Sequence, residues 1–135
     1  MQPPIPFKKF IPGIAWFFVV LFLICLPKTD MPELDNWLAI LLKKIEFDKW
    51  VHAFMFGLMA FLFISPFGKA DFSAKRKKYF FLQILFLVSC WGLATECIQL
   101  YVPGRDFDWL DWAADTLGAG IAFLYCRKHY LLNIS

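Results

Sequence analysis

Apolar residues fall in four blocks that polar segments separate from one another. The blocks cover residues 10–26, 48–67, 79–102 and 109–126. A helix needs about 20 predominantly apolar residues to cross the hydrocarbon core of a bilayer, and each block is near that length. The pattern therefore predicts an all-α integral membrane protein, a bundle of four transmembrane helices that forms a single domain over residues 1–135.

The composition agrees with this prediction. Hydrophobic residues make up 60% of the 135 residues and aromatic residues 20%, which is too apolar for an ordinary soluble domain and too short for several domains. Lys8 and Lys9 precede the first block, as in a signal peptide, but no small-x-small cleavage site follows. We therefore expect the first span to stay in the mature protein.

The basic residues predict the orientation. They concentrate before the first block, between the second and third, and after the fourth: Lys8, Lys9, Lys69, Lys75, Arg76, Lys77, Lys78, Arg127 and Lys128. The positive-inside rule makes that side cytoplasmic. Both termini should then lie inside, with the loops at 27–47 and 103–108 outside. The basic run before the third block indicates orientation and attraction to anionic lipid, and predicts no nucleic-acid partner.

The first outer loop contains a predicted short helix of its own. Asp30 and Glu33 have the spacing of a capping box. Apolar residues then recur at helical spacing, at Leu34, Trp37, Leu38, Leu41, Leu42 and Ile45. This pattern predicts an amphipathic helix that either lies in the outer interface or packs as a lid over the outward mouth of the bundle.

Three features predict helix ends. Ser73 has the chemistry of an N-cap for the third helix. Pro103 and Gly104 should stop that helix, because proline cannot continue it and glycine permits a tight turn. Asp108 suits the N-terminus of the fourth helix, where the dipole favours an anion.

Polar residues share one face on each of the last three helices. Asp48 and His52 are one turn apart on the second helix, and Glu96 and Gln99 lie on a polar stripe of the third. The fourth helix carries Asp108, Asp111 and Asp115 at steps of three and four residues, continued by Gly118 and Ala122. These carboxylates therefore face the side where another helix can approach most closely.

A charge at mid-membrane costs roughly 2.5–3.5 kcal/mol even on the gentler insertion scales, so these groups should face the protein interior. We expect an outward-facing polar pocket between the last three helices, with His52, Gln99 and Arg105 as donors to the carboxylates. The predicted polar cluster is Asp48, His52, Glu96, Gln99, Arg105, Asp108, Asp111 and Asp115. The predicted close-packing positions are Gly57, Gly92, Gly118 and Ala122.

The cluster has two interpretations. It is either a hydrogen-bonded network that only fixes helix packing, or a functional site in which the fork of Arg105 holds a phosphate or carboxylate of a lipid headgroup. The spacing of His52 and the carboxylates matches no metal signature, and the four cysteines show no CxxC pattern. We therefore expect neither a metal site nor a cofactor.

Two stretches, "DKWVHAFMFG" and "TECIQLYVPGRDFDWLDWAADTLGAG", resemble the VanZ-like family of small bacterial membrane proteins. The family pattern falls on Asp48, Lys49 and His52, on Glu96 and Gln99, and on Arg105, Asp108, Asp111 and Gly118. Asp115 departs from it, because many members carry Asn at this position, so the resemblance does not imply a required charge there. The family is named for a protein that raises resistance to the glycopeptide antibiotic teicoplanin.

The resemblance places the chain in the bacterial cytoplasmic (inner) membrane as a cell-envelope protein. From the residues we expect binding rather than catalysis, with a membrane lipid or a lipid-linked envelope component in the acidic, His-bearing pocket. One alternative is a small accessory subunit of a larger assembly, whose partners are other membrane proteins and whose polar network is structural. A second is an enzyme that modifies envelope lipids.

Overall fold

The computed structural model describes residues 4–27 and 47–132. Regular structure in these ranges is entirely helical, as predicted. Four α-helices follow one another, α1 (Ile11–Ile24), α2 (Phe47–Gly68), α3 (Ala74–Gln99) and α4 (Trp109–Arg127), with a 3-10 turn at Phe7–Lys9 and a π-helical turn at Lys128–Leu132. The predicted amphipathic helix of the first outer loop lies outside the described residues.

The predicted caps are confirmed. The Ser73 hydroxyl accepts a hydrogen bond from the Arg76 backbone N–H, and Asp108 Oδ1 accepts one from the Leu110 N–H at 2.8 Å. The chain reverses between α3 and α4 through Gly104, whose φ of 74° suits a residue without a side chain. Since α3 begins at Ala74 and the predicted span began at residue 79, the basic run belongs to the first turns of the helix and not to a loop.

Helices α2 and α4 form the most extensive contact of the described fold, and α3 packs against both of them. The residues that contact each other follow the same chain order on both sides: His52 lies beside Asp115, and Ser65 lies beside Tyr130 in the π-helical turn that follows α4. These two helices therefore run parallel, and α3 runs antiparallel to them. Helix α1 joins the outside of this group through the Trp16 indole, which donates to the Met55 carbonyl at 2.9 Å.

The closest approach of α2 and α4 is at Gly118. A Cβ built on Gly118 would overlap the backbone carbonyl of Ala53, and one on Gly57 would lie 3.0 Å from the Gly118 oxygen. Backbone contact of this kind requires small residues, because any larger side chain would separate the helices. Ala122, the next small residue on this face of α4, is also buried.

This topology gathers the polar residues at one end of the bundle. The N-termini of α2 and α4 lie there beside the C-terminus of α3, whereas the basic residues of α3 and Arg127 lie at the opposite end. Between the ends, the core is apolar and includes Phe56, Met59, Ile64 and Phe81. Helices α2 and α3 are each long and apolar enough to cross a bilayer, and α1 is a shorter apolar helix.

We expect Gly118→Ala to destabilise the protein by about 1–3 kcal/mol, because the added methyl must push α4 away from Ala53. Thermal unfolding in detergent micelles measures this. Gly120→Ala is the matched control in the same helix, since nothing lies within 4 Å of a Cβ at Gly120. It should leave the stability unchanged or raise it by up to about 1 kcal/mol, because alanine favours helices. Equal melting temperatures for the two variants would contradict the proposed close contact.

Candidate functional site: a buried polar cluster between three helices

His52 and Asp115 form the innermost contact of the polar end. His52 Nδ1 lies 3.0 Å from Asp115 Oδ1, across the α2–α4 interface. The two residues are 2% and 0% exposed. A buried carboxylate needs a hydrogen-bonding partner, so this contact compensates both groups for the loss of water.

Lys49 connects two carboxylates of α4. Its Nζ lies 2.9 Å from Asp108 Oδ2 and 2.8 Å from Asp111 Oδ1. Because Lys49 and His52 are three residues apart on α2, they present a cation and an imidazole to successive turns of α4. The first turns of the two parallel helices are therefore joined by charge-assisted hydrogen bonds.

Glu96 joins the start of α4 to α3. Its side chain is 0% exposed, and its Oε2 accepts a hydrogen bond from the Asp108 backbone N–H at 2.9 Å. Further along the same interface, Ser89 Oγ lies 2.8 Å from Thr116 Oγ1. The polar stripe of α3 therefore faces α4 along its length.

Several buried polar atoms at this end have no hydrogen-bond partner in the described part of the chain. They are the acceptors Glu96 Oε1 and Asp115 Oδ2 and the donors Gln99 Nε2 and Arg105 Nε. An unsatisfied buried polar group typically costs about 1–3 kcal/mol, and more if it is charged. The helices thus form a site whose hydrogen-bonding capacity is only partly used.

A polar cavity of about 270 Å³ opens at the same end. Its lining comes from the first turns of α2 and α4, the last turn of α3 and the connection between them, and comprises Asp48, Gln99, Gly104, Arg105, Asp106, Phe107, Asp108 and Asp111. Gln99 and Arg105, the two residues that carry the unpartnered donors, therefore both belong to the lining of the cavity. Glu96, His52 and Asp115 are deeper in the bundle.

Asp108 is the best-connected residue at the cavity rim. The hydrogen bond from Lys49 holds the pKa of the Asp108 carboxyl below its usual range, and the backbone N–H of Leu110 adds to the effect. The carboxylate also lies at the N-terminus of α4, where the helix dipole favours a negative charge. Asp108 is therefore ionised at neutral pH.

The structure brings the predicted cluster together, but with a different set of donors. His52 pairs with a carboxylate as expected. Gln99 Nε2 and Arg105 Nε, expected as donors to the carboxylates, have no partner in the described ranges. Lys49, which the resemblance placed in the family pattern but which was not expected among the donors, is instead the principal donor to the carboxylates. Its position within the Asp-Lys-x-x-His stretch, one turn before His52, was the available signal.

Two of the predicted packing glycines lie against this cluster. Gly92 is beside Asp115, and a Cβ on Gly92 would come within 2.9 Å of Asp115 Oδ2. Gly118 follows Asp115 by one turn and permits the contact with Ala53 described above. Gly92 of α3 and Gly118 of α4 therefore leave room for the buried carboxylate of Asp115 between α2 and α3.

A comparison with protein-family models finds a match to the VanZ/LLP1 family over residues 10–133. The chain belongs to the VanZ/LLP1 family. This confirms the resemblance that the two sequence stretches indicated. A search of the curated proteins and a search of the solved structures found no match.

The match covers the whole of the cluster, so the buried site is a feature of the VanZ/LLP1 region itself. Membership of the family and the two long apolar helices together favour a membrane protein. The distribution of side chains points the same way. Glu96 and Asp115 are fully buried, whereas Phe86 and Ile121 are each 68% exposed. That is the reverse of the arrangement in a water-soluble bundle.

The VanZ/LLP1 cluster offers two sets of ligand atoms for a cation. One atom from each of Asp48, His52 and Asp111 lies within 4.8 Å of the other two, and the same holds for His52, Glu96 and Asp115. The first set opens to the cavity, whereas all three residues of the second are buried. The site also presents donors to an anion through Arg105 and Gln99.

The low pKa of Asp108 predicts a pH-dependent contribution to stability. A carboxyl whose pKa is depressed by folding stabilises the protein above its ordinary pKa of about 3.9, and this stabilisation is lost as the pH falls through the lower folded value. We expect Asp108→Asn, which keeps a capping side chain, to be less stable at pH 6 by at most about 1 kcal/mol, because Asp108 is 43% exposed.

The difference between the wild type and Asp108→Asn should narrow as the pH is lowered from 6 to 3 in thermal unfolding experiments. Asp71→Asn, at an exposed carboxylate between α2 and α3, is the charge-matched control. A difference that stays constant down to pH 3 would mean that capping or packing, and not the charge of Asp108, is responsible.

Proposed function

We propose that this VanZ/LLP1 protein crosses the membrane with four helices and binds the phosphate-bearing headgroup of a lipid or lipid-linked envelope component. The headgroup enters the polar cavity at the outward end of the bundle. The observation that carries this proposal is that Arg105 and Gln99 line one cavity, and that each carries a buried donor, Arg105 Nε and Gln99 Nε2, without a partner among the described residues.

Exposed aromatic residues support the placement in a bilayer. Trp50, Tyr101 and Trp109 are exposed at the polar end, and Tyr79 and Tyr125 are exposed toward the basic end. Tryptophan and tyrosine concentrate at both membrane–water interfaces, because their rings suit the headgroup level. The apolar faces of the helices between these levels would then contact lipid.

The opposite locations of the basic residues and the cavity support the orientation. Lys69 and the basic first turns of α3 lie at one end, and the cavity lies at the other. With the basic end in the cytoplasm, the cavity opens to the outer leaflet. A headgroup can then enter from outside while its acyl chains stay in the membrane.

Membrane-impermeant thiol labelling of intact cells tests this orientation. In a cysteine-free background, we expect Asp106→Cys at the cavity rim to be labelled and Lys69→Cys to be protected until the cells are lysed, because a charged reagent does not cross the bilayer. Both positions are exposed in the structure, so exposure itself does not separate them. Labelling of Lys69→Cys in intact cells would contradict the proposed topology.

Arg105 and Gln99 provide complementary contacts for a phosphate. The guanidinium group of Arg105 is planar and permanently charged, and its donors match two phosphate oxygens. The Gln99 amide is 2% exposed and can donate to a third oxygen once the ligand is present. Binding would therefore give hydrogen-bond partners to two residues whose donors have none in the described part of the chain.

The carboxylates of the cavity favour a headgroup that also carries hydrogen-bond donors. Asp108 and Asp111 are bonded to Lys49, but Asp48 and Asp106 line the same cavity. Hydroxyl or amine groups beside the phosphate could donate to these oxygens. The size of the cavity, about 270 Å³, suits a headgroup and not a whole lipid.

Native mass spectrometry of the purified protein tests headgroup binding with defined lipids. Phosphatidylglycerol carries both a phosphate and hydroxyl donors, and diacylglycerol lacks the phosphate. We expect phosphatidylglycerol to bind and diacylglycerol not to bind. Arg105→Gln should weaken the binding by about 10- to 100-fold, which corresponds to a charge-assisted hydrogen bond of roughly 1.5–3 kcal/mol.

Arg127→Gln is the control for this experiment, because Arg127 is exposed at the opposite end of α4. It removes the same charge without changing the cavity. Equal phosphatidylglycerol binding by wild type and Arg105→Gln would refute the proposal. The polar network would then be a packing device, as expected for an accessory subunit of a larger membrane assembly.

A further inference from the structure

Negative charge exceeds positive charge at the cavity end of the bundle. Among the described residues, six carboxylates lie there, at Asp48, Glu96, Asp106, Asp108, Asp111 and Asp115, whereas the basic side chains described at this end are Lys49 and Arg105. Lys49 already bonds Asp108 and Asp111. A phosphate added to this end would increase the excess of negative charge, so a cation is the natural counterpart of the proposed ligand.

The separation of His52 and Asp111 leaves space for an ion. His52 Nε2 and Asp111 Oδ2 are 3.9 Å apart, which is too far for a hydrogen bond. Ligands with bonds of about 2.0–2.2 Å to one ion are themselves roughly 3–4 Å apart. One carboxylate oxygen of Asp48, one ring nitrogen of His52 and one carboxylate oxygen of Asp111 lie within 4.8 Å of one another.

Neighbouring residues already orient both ligands. Asp115 Oδ1 lies 3.0 Å from His52 Nδ1, and in the tautomer that carries its proton on Nδ1 this N–H is donated to the carboxylate while the Nε2 lone pair is left for a metal. Lys49 bonds Asp111 Oδ1 at 2.8 Å and leaves Oδ2 facing His52. Carboxylate–histidine pairs of this kind fix the tautomer and ring position at many metal centres.

A separate observation indicates that this space receives a ligand. Gln99 is 2% exposed and lines the same cavity as Asp48 and Asp111, yet its amide nitrogen has no partner among the described residues. A residue of the same cavity wall as Asp48 and Asp111 therefore carries a buried donor that no described residue uses. Such a donor is costly unless something else occupies the cavity.

We propose that Asp48, His52 and Asp111 hold a divalent cation, and that its open coordination position faces the cavity and takes an oxygen of the headgroup phosphate. This inference rests on the proposed function and specifies how an acidic cavity accepts an anion. One imidazole and two carboxylates suit Mn²⁺ or Zn²⁺. Three protein ligands leave room for a phosphate oxygen or water.

The alternative ligand set of His52, Glu96 and Asp115 fits less well. All three residues are buried, and none of them lines the cavity. An ion there would lie deeper than the cavity that receives the headgroup. The first set, in contrast, includes Asp48 and Asp111 of the cavity wall.

Binding of Mn²⁺ alone to the full-length protein is the first test. After chelator treatment and desalting in detergent, Mn²⁺ is titrated and the free ion is followed by electron paramagnetic resonance. We expect one saturable site per chain. Asp48→Asn should weaken it by at least about 100-fold, because loss of an outer-shell partner alone typically costs 10- to 100-fold.

The variants separate the ligand set from general effects. Asp48 is exposed at the start of α2, so Asp48→Asn should not disturb folding, and His52→Gln provides the second ligand variant. Asp71→Asn removes an exposed carboxylate between α2 and α3, at the end of the bundle opposite the cavity, and should leave Mn²⁺ affinity within about threefold. The absence of saturable binding would overturn the proposal, as would equal affinity loss in Asp71→Asn and Asp48→Asn.

Lipid binding with and without Mn²⁺ distinguishes this inference from the proposed function. We expect Mn²⁺ to raise phosphatidylglycerol affinity at least about tenfold and, by thermodynamic linkage, the lipid to raise Mn²⁺ affinity by the same factor. Phosphatidylglycerol binding that depends on Arg105 but is unchanged by a chelator would refute the cation site and would remain consistent with the proposed function. Saturable Mn²⁺ binding with no lipid binding would instead refute the proposed function, and with it the coordination of a headgroup phosphate by the cation.

Discussion

The contact between His52 and Asp115 depends on the close approach of α2 and α4, and the rest of the polar end depends on that contact. The two helices meet at backbone distance where Gly118 lies against Ala53. One turn earlier, Asp115 reaches His52 at 3.0 Å in a region without exposure to solvent. A buried carboxylate is tolerated only with a partner. Because Gly118 lets α4 approach α2 closely enough for Asp115 to reach His52, this glycine also makes the burial of Asp115 possible.

The beginning of α4 is held from three directions through one residue. Asp108 caps its own helix, its carboxylate contacts Lys49 of α2, and its backbone N–H donates to Glu96 of α3. This arrangement fixes the connection between α3 and α4, on which Arg105 is carried, relative to the other cavity residues. Positioning a binding group on a rigidly held segment reduces the entropy that is lost when a ligand orders it.

Among the described residues, the cavity end combines a surplus of carboxylates with donors that have no partners. Within a bilayer this arrangement would be unfavourable if it served packing alone, because apolar residues of similar volume would avoid the cost of burying polar groups. A bound headgroup and a cation would together use both the donors and the acceptors. The free-energy cost of burying these polar groups thus favours a ligand-binding site over a purely structural network.

Much of this organisation could be predicted from the sequence. The spacing of Asp111, Asp115 and Gly118 placed carboxylates and a small residue on one face of α4, and the chemistry of Ser73 and Asp108 predicted two helix caps. Each of these inferences uses local periodicity or local hydrogen bonding. The role of Lys49 was not found, because a lysine at a helix start commonly lies at the interface and its partners are distant in the chain.

The sequence by itself determined the helical class, the polar face of each helix and membership of the VanZ/LLP1 family, because these depend on residue type and on spacing within one element. Only the tertiary structure decided which polar atoms pair. It placed Lys49 on Asp108 and Asp111 and the Asp108 backbone on Glu96, and among the described residues it gave no partner to Arg105 Nε or Gln99 Nε2. Those distances depend on the register and separation of neighbouring helices. The periodicity of residues along a single helix gives no information on either.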